Sequence, residues 1–220
     1  MSVGNALAAI ACVLLLGGCA SFLVSGEFAS GRQALLANRD EQALGYFHSV
    51  AEKDPNYTFV FDLFREGIWT YVGRVQYQVG RYEEARQSLE RALSMDRNDN
   101  LARLYLGLTL ARRSDYAQGI KDIEAGLQGL YDWLDYMQTS RPFTDFWDPL
   151  RQIRSEIRND LDVISGKDID WPKLIESAEW VGRQMEEEVD RVRRDEERRL
   201  RNRDSPPNGS GVGIGIGIGF

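Results

Sequence analysis

The chain has 220 residues, a length that suits one modest domain with appendages. Apolar residues make up 43% and charged residues 28%, so most of the chain can fold around a core, and the net charge of -7 argues against nonspecific nucleic-acid binding, which needs basic surfaces. Cys12 and Cys19 are the only cysteines, and His48 is the only histidine. Because both cysteines lie near the N-terminus, the composition excludes a disulfide framework, a cysteine-based metal site and a cysteine nucleophile in the folded body, and we expect no metal or cofactor.

The first element is an apolar run from Ala6 to Leu16, too short to span a membrane, for which about 20 apolar residues are needed. It is typical of the apolar core of a secretory signal peptide. The tetrad Leu16-Gly17-Gly18-Cys19 follows at once and resembles the lipobox of bacterial lipoproteins. The resemblance implies cleavage between Gly18 and Cys19 and acylation of Cys19, with palmitate among the acyl chains. The segment Met1–Asn5 departs from the pattern because it has no lysine or arginine; the alternative is a buried helix that ends in Gly-Gly-Cys.

Lipidation implies a location. One acyl chain holds a protein only marginally and two or more hold it stably, so a fully acylated Cys19 would be a permanent tether. In lipoproteins an aspartate directly after the cysteine commonly marks retention in the inner membrane, and this chain has Ala20 there. The resemblance therefore implies a lipid anchor in the outer membrane, facing the periplasm, with the inner membrane and the cell surface as alternatives.

Internal periodicity is the next signal along the chain. The stretch Trp69–Asn98 repeats in Arg103–Gln128 with an offset of 34 residues, the period of tetratricopeptide-repeat (TPR) units. The residue types resemble the TPR signature, which implies a helix-turn-helix unit. Small residues are expected where the two helices cross and in the turn between them, since glycine can adopt φ values that other residues avoid. The matching positions are Trp69 and Ala92, and the pairs Gly73 with Gly107, Gly80 with Ser114, Tyr82 with Tyr116, Ala85 with Gly119, Leu89 with Ile123, and Leu93 with Leu127.

A further unit precedes these two. It keeps the same internal spacings at Gly31, Asn38, Ala43, Phe47 and Pro55. The offset from Ala43 to Ala85 is 42, which indicates eight extra residues near positions 56–64, and we expect this insertion to lengthen the first helix of the second unit. The sequence thus predicts an all-α fold with a short TPR solenoid of about three units; the alternative is an ordinary helical bundle with accidental periodicity.

A TPR array has a concave face formed by the first helix of each unit. Arginines from all three units would suit an acidic or carboxylate-ended peptide segment, although they could equally be solvated surface residues. The set does not match the carboxylate clamp of chaperone-binding TPR proteins. The resemblance maps the candidate partner-binding groove to Arg32, Arg74, Tyr77, Gln78, Leu104, Leu108 and Arg112.

After the repeats, residues 131–147 are rich in aromatic side chains, which predicts a cap for the solenoid end or, alternatively, a partner surface. Asp148 and Pro149 predict a helix start, and Gly166 its end. Asp170 and Pro172 predict the start of a longer helix. The apolar stripes on the two helices are Leu150, Ile153, Ile157, Leu161 and Ile164 on the first, and Leu174, Ala178, Val181, Met185, Val189 and Val192 on the second.

Beyond Val192 the apolar stripe nearly disappears, and acids and arginines four residues apart predict a solvated helical arm. A coiled-coil contact with a partner through the stripe before Val192 is the alternative. The segment Gly211–Phe220 alternates glycine with apolar residues, which is typical of a flexible Gly-rich tail or of a strand that pairs with another sheet edge. Its terminal Phe220 also resembles the C-terminal signal of outer-membrane β-barrels. We expect the charged helix and the tail to reach away from Cys19.

The predicted organisation is a signal peptide (1–18), a tether (19–30), TPR repeats (31–130), capping helices with a long charged helix (131–203) and a Gly/Ile-rich tail (204–220). The resemblance implies a non-enzymatic scaffold that binds envelope proteins or peptide segments during complex assembly, with no nucleic acid or small-molecule substrate. One alternative is a structural lipoprotein whose tail pairs with a β-barrel or a neighbouring subunit. Another is an enzyme accessory, for which His48 is the one candidate base, since the sequence has no nucleophile–base set, phosphate loop or HExxH motif.

Overall fold

The computed structural model of the protein describes residues 23–140, 147–166 and 168–204. The predictions for Cys12, Gly18 and Cys19 therefore lie outside the described residues, as do those for the alternating tail.

Helices dominate the described ranges, as the sequence predicts. None of these described helices has the length and apolar character needed to cross a membrane. The helices are α1 (described part, residues 23–36), α2 (Asp40–Lys53), α3 (Ile68–Gln78), α4 (Tyr82–Met95), α5 (Asn100–Arg112), α6 (Tyr116–Ser140), α7 (Gln152–Ser165) and α8 (Trp171–Asp204), and two short strands, β1 (Thr58–Phe61) and β2 (Phe64–Gly67), lie between α2 and α3.

The first six helices form three consecutive pairs, α1/α2, α3/α4 and α5/α6. The turn inside each pair contains one residue with a left-handed backbone: Asn38 (φ 54°), Gly80 (φ 79°) and Ser114 (φ 65°). Glycine adopts this conformation freely, and asparagine tolerates it better than most residues. The same turn geometry at matching positions confirms a TPR-like solenoid and the role predicted for Gly80.

Small residues lie where the helices of a pair cross. A Cβ atom on Gly73 would lie 2.5 Å from Cγ of Leu89, and one on Gly107 would lie 2.5 Å from the backbone nitrogen of Ile123. Such distances are shorter than any normal carbon contact, so a larger residue would displace the Leu89 side chain at the first site and the backbone of α6 at the second. The close approach explains the small residues that the repeat places at 34-residue intervals.

The insertion after the first unit does not lengthen α3, so that expectation is wrong. The inserted residues form an antiparallel hairpin in which Thr58 pairs with Gly67 and Phe61 with Phe64. Threonine, valine and phenylalanine in succession favour a strand over a helix, and Asp62 takes a left-handed conformation (φ 51°) in the two-residue connection. Alternate side chains of the hairpin face the protein interior.

The start of α7 also differs from the prediction, because the helix begins at Gln152 rather than directly after Asp148. The Asp148 carboxylate nevertheless caps it, accepting hydrogen bonds of 3.1 Å from the backbone N–H groups of Ile153 and Arg154. The other boundaries are as predicted. Gly166 follows the last residue of α7, and Asp170 accepts a hydrogen bond from the backbone N–H of Lys173 at the start of α8.

The described aromatic side chains after the repeats are only partly buried, because Tyr136 is 50% exposed whereas Trp147 packs inward. Trp147 is almost fully buried, lies edge-on to Trp133 with ring centroids 4.7 Å apart, and stacks on Phe64 of the hairpin. This packing favours the capping interpretation over an open aromatic surface.

The apolar stripe of α8 is buried within the same chain, where α8 packs against the repeats and against α7. Ala178, Val181, Met185 and Val189 have no exposed surface, and Leu174 and Val192 are nearly as enclosed. The stripe is therefore not open to a partner coiled coil, and that alternative is wrong. After Val192 most side chains are exposed, which confirms the predicted solvated arm.

Candidate functional site

The concave face of the repeats holds α8 of the same chain. Tyr105 of α5 packs so closely against α8 that a Cβ atom on Gly182 would lie 2.6 Å from its ring. Arg74 of α3 donates a hydrogen bond to the Gly182 carbonyl (3.4 Å) and pairs with Glu186 (3.2 Å). A long helix of this chain thus fills most of the face on which the sequence placed the candidate groove.

The seven candidate groove residues fall into two groups. Arg32, Arg74, Tyr77, Leu104 and Leu108 are buried beneath α8 or between the helices of the repeats. Gln78 and Arg112 keep access to solvent at one end of the groove. Only part of the predicted set is therefore accessible to a partner while α8 is in place.

Four charged side chains, Arg32, Glu66, Arg74 and Glu186, form a buried cluster that we call the charge quartet. Glu186 of α8 accepts from Arg32 (2.6 Å) and from Arg74 (3.2 Å), and Arg74 also donates to Glu66 of β2 (2.5 Å). No side chain of the four is more than 6% exposed. Removing one member of such a group leaves a buried charge without its counterion, which destabilises the fold. The quartet therefore stabilises the packing of α8 against α1, α3 and the hairpin.

Burial dominates the electrostatics of the quartet. It raises the pKa of Glu66 to about 8, against the lowering effect of Arg74, and the Glu186 carboxylate adds to the rise. The pKa of Arg74 is raised, because the two carboxylates and nearby tyrosines outweigh the lowering caused by burial. Oε2 of Glu66 has no hydrogen-bond partner among the described residues. The arginines thus stay charged, while burial favours the protonated form of Glu66.

The sequence reasoning missed the acidic residues that face these arginines. Glu179 and Glu186 lie seven residues apart on α8, close to the buried stripe, so they project toward the same side of the helix. Acidic residues at this spacing beside an apolar stripe could have predicted that the helix packs against a groove lined by arginines. Glu66 had no comparable signal, because its position depends on the hairpin.

The accessible end of the groove is a cavity of about 420 Å³ between α8 and the repeats, which we call the groove mouth. It is lined by Tyr77, Gln78 and Arg112 of the repeats and by Glu179 and Arg183 of α8. Arg112 donates to the Tyr77 hydroxyl (3.1 Å) and to Glu179 (2.7 Å).

One cationic group at the groove mouth is fully open to a ligand, because the Arg183 side chain is exposed. Oε1 of Gln78 has no hydrogen-bond partner among the described residues, but this oxygen is itself buried. An exposed guanidinium suits a peptide that offers a carboxylate.

His48, the one candidate base, lies half-buried on α2. It does not belong to the residues that line the groove mouth or to the charge quartet. The described structure therefore gives this imidazole no part in the candidate site.

The tetratricopeptide-repeat family matches residues 67–99, which contain α3 and α4. No curated protein and no solved structure matches the chain. The match agrees with the second predicted unit, and the geometry of α1/α2 and α5/α6 extends the array to either side of it. The chain is an all-α, TPR-like solenoid, and repeats of this kind commonly serve as protein-interaction modules.

Proposed function

We propose that the chain is a membrane-anchored, non-enzymatic scaffold, held by an acylated Cys19 on the periplasmic side of the outer membrane, that binds an envelope protein during complex assembly. The tetratricopeptide repeat supports the interaction role. The lipobox-like Leu16-Gly17-Gly18-Cys19 tetrad supports the anchor. The described helices are packed into one array directly after that tetrad, as a tethered adaptor requires.

The groove mouth is the observation that carries the interaction role. Burial of each large apolar side chain on α8 stabilises the packing of this helix by about 1.5–3 kcal/mol, and the charge quartet adds to this. A partner peptide would therefore have to replace many contacts to displace the helix. The groove mouth requires no such displacement. The side chains of Arg112 and Arg183 remain accessible there, and their guanidinium groups favour an acidic or carboxylate-ended segment.

A site-specific photocrosslink in intact envelopes tests the interaction role. A photoreactive phenylalanine analogue replaces Tyr82, which also lines the groove mouth, and a matched control replaces the exposed Gln87 on α4. We expect the probe at position 82 to capture a discrete envelope protein that the probe at position 87 does not. Arg112→Ala should weaken that crosslink, because it removes a cation from the mouth. Equal capture at both positions, or capture unaffected by Arg112→Ala, would contradict this surface.

The anchor needs a separate measurement. The mass of the N-terminal peptide should show a chain that begins at Cys19 and carries acyl groups, and the protein should fractionate with the outer membrane. A Cys19→Ser variant should lose the acyl mass and leave the membrane fraction. An unprocessed N-terminus that begins at Met1 in the wild type would refute the anchor without bearing on the groove mouth.

A further inference from the structure

The direction of α8 can be read from its contacts with the repeats. In α3, Arg74 contacts Gly182 and Glu186, whereas Tyr77, further along the chain, contacts Glu179. Later residues of α3 thus meet earlier residues of α8, so the two helices run antiparallel.

The helices α5 and α1 show the same order. Along α5, Tyr105 packs on Gly182 and Arg112 contacts Glu179. Along α1 and its turn, Arg32 pairs with Glu186, and Asn38 lines the groove mouth with Glu179. The first helices of all three units therefore run opposite to α8.

This arrangement brings the C-terminal end of α8 to the same end of the array as the first described residue of α1, Leu23. At a rise of 1.5 Å per residue, α8 extends about 25 Å from Glu186 to Arg203, and α1 extends about 13 Å from Arg32 back to Leu23. Cys19 precedes Leu23 by so few residues that the intervening chain spans at most about 14 Å. The end of the arm and Leu23 thus lie at the same end of the array, whereas Cys19 itself lies outside the described residues.

Beyond Val192 the arm carries six arginines against four acidic residues, Asp195, Glu196, Glu197 and Asp204. Four of the arginines, Arg198, Arg199, Arg201 and Arg203, lie between Glu197 and Asp204, and we call these four arginines the basic tip. All four are exposed, and Leu200 between them is 56% exposed. Arg198 pairs with Asp195 at 3.2 Å while remaining 67% exposed. Exposed pairs of this kind contribute little, so a guanidinium can exchange its carboxylate for a phosphate at small cost.

We infer that the basic tip binds the anionic headgroups of the membrane that holds Cys19. The inference rests on the anchor in the proposed function. A chain of net charge -7 is repelled as a whole by an anionic surface, so a local basic cluster decides which end can approach. Each basic side chain near such a surface adds to its attraction, and a lipid anchor with a basic patch forms a two-signal attachment. The second contact fixes α8 toward the membrane and turns the groove mouth away from it.

A protease-protection experiment tests the contact on the full chain as it is purified from membranes. The protein is placed in vesicles of phosphatidylcholine alone or with about 30% phosphatidylglycerol, and trypsin cleavage is followed by mass spectrometry. Cleavage at the basic tip should slow by about tenfold or more in the anionic vesicles, and added salt should restore it. Cleavage at Arg39 and Arg81, in exposed turns at the opposite end, is the internal control and should not change.

Variants separate this inference from the proposed anchor. In a full-length Cys19→Ala background, which carries no acyl group, the preference for anionic over neutral vesicles is measured by flotation. Replacing the four tip arginines with glutamine should reduce that preference by about tenfold or more, while replacement with lysine should preserve it. A matched control replaces Arg39, Arg81, Arg86 and Arg113 with glutamine and should leave the preference intact.

Two results would overturn the inference: equal cleavage of the tip in both vesicles, or protection that appears only when envelope proteins or nucleic acid are added. The two proposals can fail separately. If the wild-type Cys19 proves not to be acylated but the preference for anionic vesicles is still measured, the basic tip is supported and the proposed anchor is refuted.

Discussion

Glu186 of α8 and Arg32 of α1 form a buried ion pair, with 2.6 Å between Oε1 and Nε, across 154 positions of the chain. The same carboxylate meets Arg74 of α3, so a single acid on the last helix contacts the first two units of the array. The concave face is thus completed within the molecule. A partner meets an already filled groove, and its approach is directed to the groove mouth and to the ends of the array.

Removing the charge of Glu186 should destabilise the fold strongly. Glu186→Gln keeps the shape of the side chain but removes the carboxylate that pairs with both Arg32 and Arg74 in the protein interior. Breaking a buried ion pair in this way costs about 3–5 kcal/mol. The free energy of unfolding, measured by urea denaturation with circular dichroism, should fall by this amount.

The matched control for that substitution is Glu187→Gln, one residue further along α8. Glu187 is exposed and accepts a hydrogen bond from Gln184 on the same helix. Its replacement should change the free energy of unfolding by less than about 0.5 kcal/mol. Similar losses for both variants would show that the charge of α8, and not the quartet, supports the packing.

The repeats could be predicted from the sequence because their signals are local. Gly73, Gly80 and Ala85 lie within one helix-turn-helix unit, and the spacing that carries the pattern is the spacing that brings their helices together. The hairpin could not be predicted in the same way. Its residues lie inside an insertion, and their burial depends on distant partners such as Phe28 and Trp147.

The surface against which α8 packs is the main feature that could not be predicted from the sequence. Its apolar stripe from Leu174 to Val192 predicted burial, but periodicity does not say against which surface. The candidate groove was predicted from the repeats alone, so Arg32 and Arg74 were treated as open to a partner. Charge complementarity between those arginines and Glu186 connects positions far apart in the chain, and no local pattern encodes such a pairing.

Asp160 should make the stability of the protein depend on pH. Burial raises its pKa to about 6 from an ordinary value of 3.8, a hydrogen bond from Ser177 opposes the rise, and Glu156 adds to it. Between these two pH values the folded state keeps a proton that the unfolded state has lost. The contribution of Asp160 to stability is therefore complete below pH 3.8 and decreases as the pH rises through about 6.

Asp160→Asn should remove this dependence. At pH 7 the variant should be more stable than the wild type by on the order of 1 kcal/mol, since solvent screens part of the charge, and the two should converge near pH 4. Urea denaturation across that pH range measures the difference. Asp162→Asn, an exposed position on the same helix, is the control and should follow the wild type. A parallel shift of Asp160→Asn at every pH would contradict the titration.

Trp147 should be a main support of the region after the repeats. It is 2% exposed and packs against Trp133 and Phe64, so Trp147→Ala should cost about 3–5 kcal/mol through the cavity that it leaves. Leu150→Ala, three residues away, should cost almost nothing, because Leu150 is 77% exposed. Thermal unfolding of the two variants compares the positions directly. A small effect at Trp147 would imply that the aromatic segment contacts the repeats without stabilising them.

The close crossing of α5 and α6 gives the most stringent test of the repeat geometry. A Cβ atom on Gly107 would lie 2.5 Å from the backbone nitrogen of Ile123 and 2.7 Å from the Gly119 carbonyl oxygen, and backbone atoms cannot turn aside as a side chain can. Gly107→Ala should therefore destabilise the protein by about 1–3 kcal/mol, although alanine is the better helix former.

Gly45→Ala, on the exposed face of α2, is the matched control, because nothing lies within 4 Å of its added Cβ atom. This variant should gain about 0.5–1 kcal/mol from helix propensity alone. Equilibrium unfolding in urea should give opposite signs for the two substitutions. A gain in stability at both glycines would mean that α5 and α6 cross further apart than the close contacts at Gly107 require.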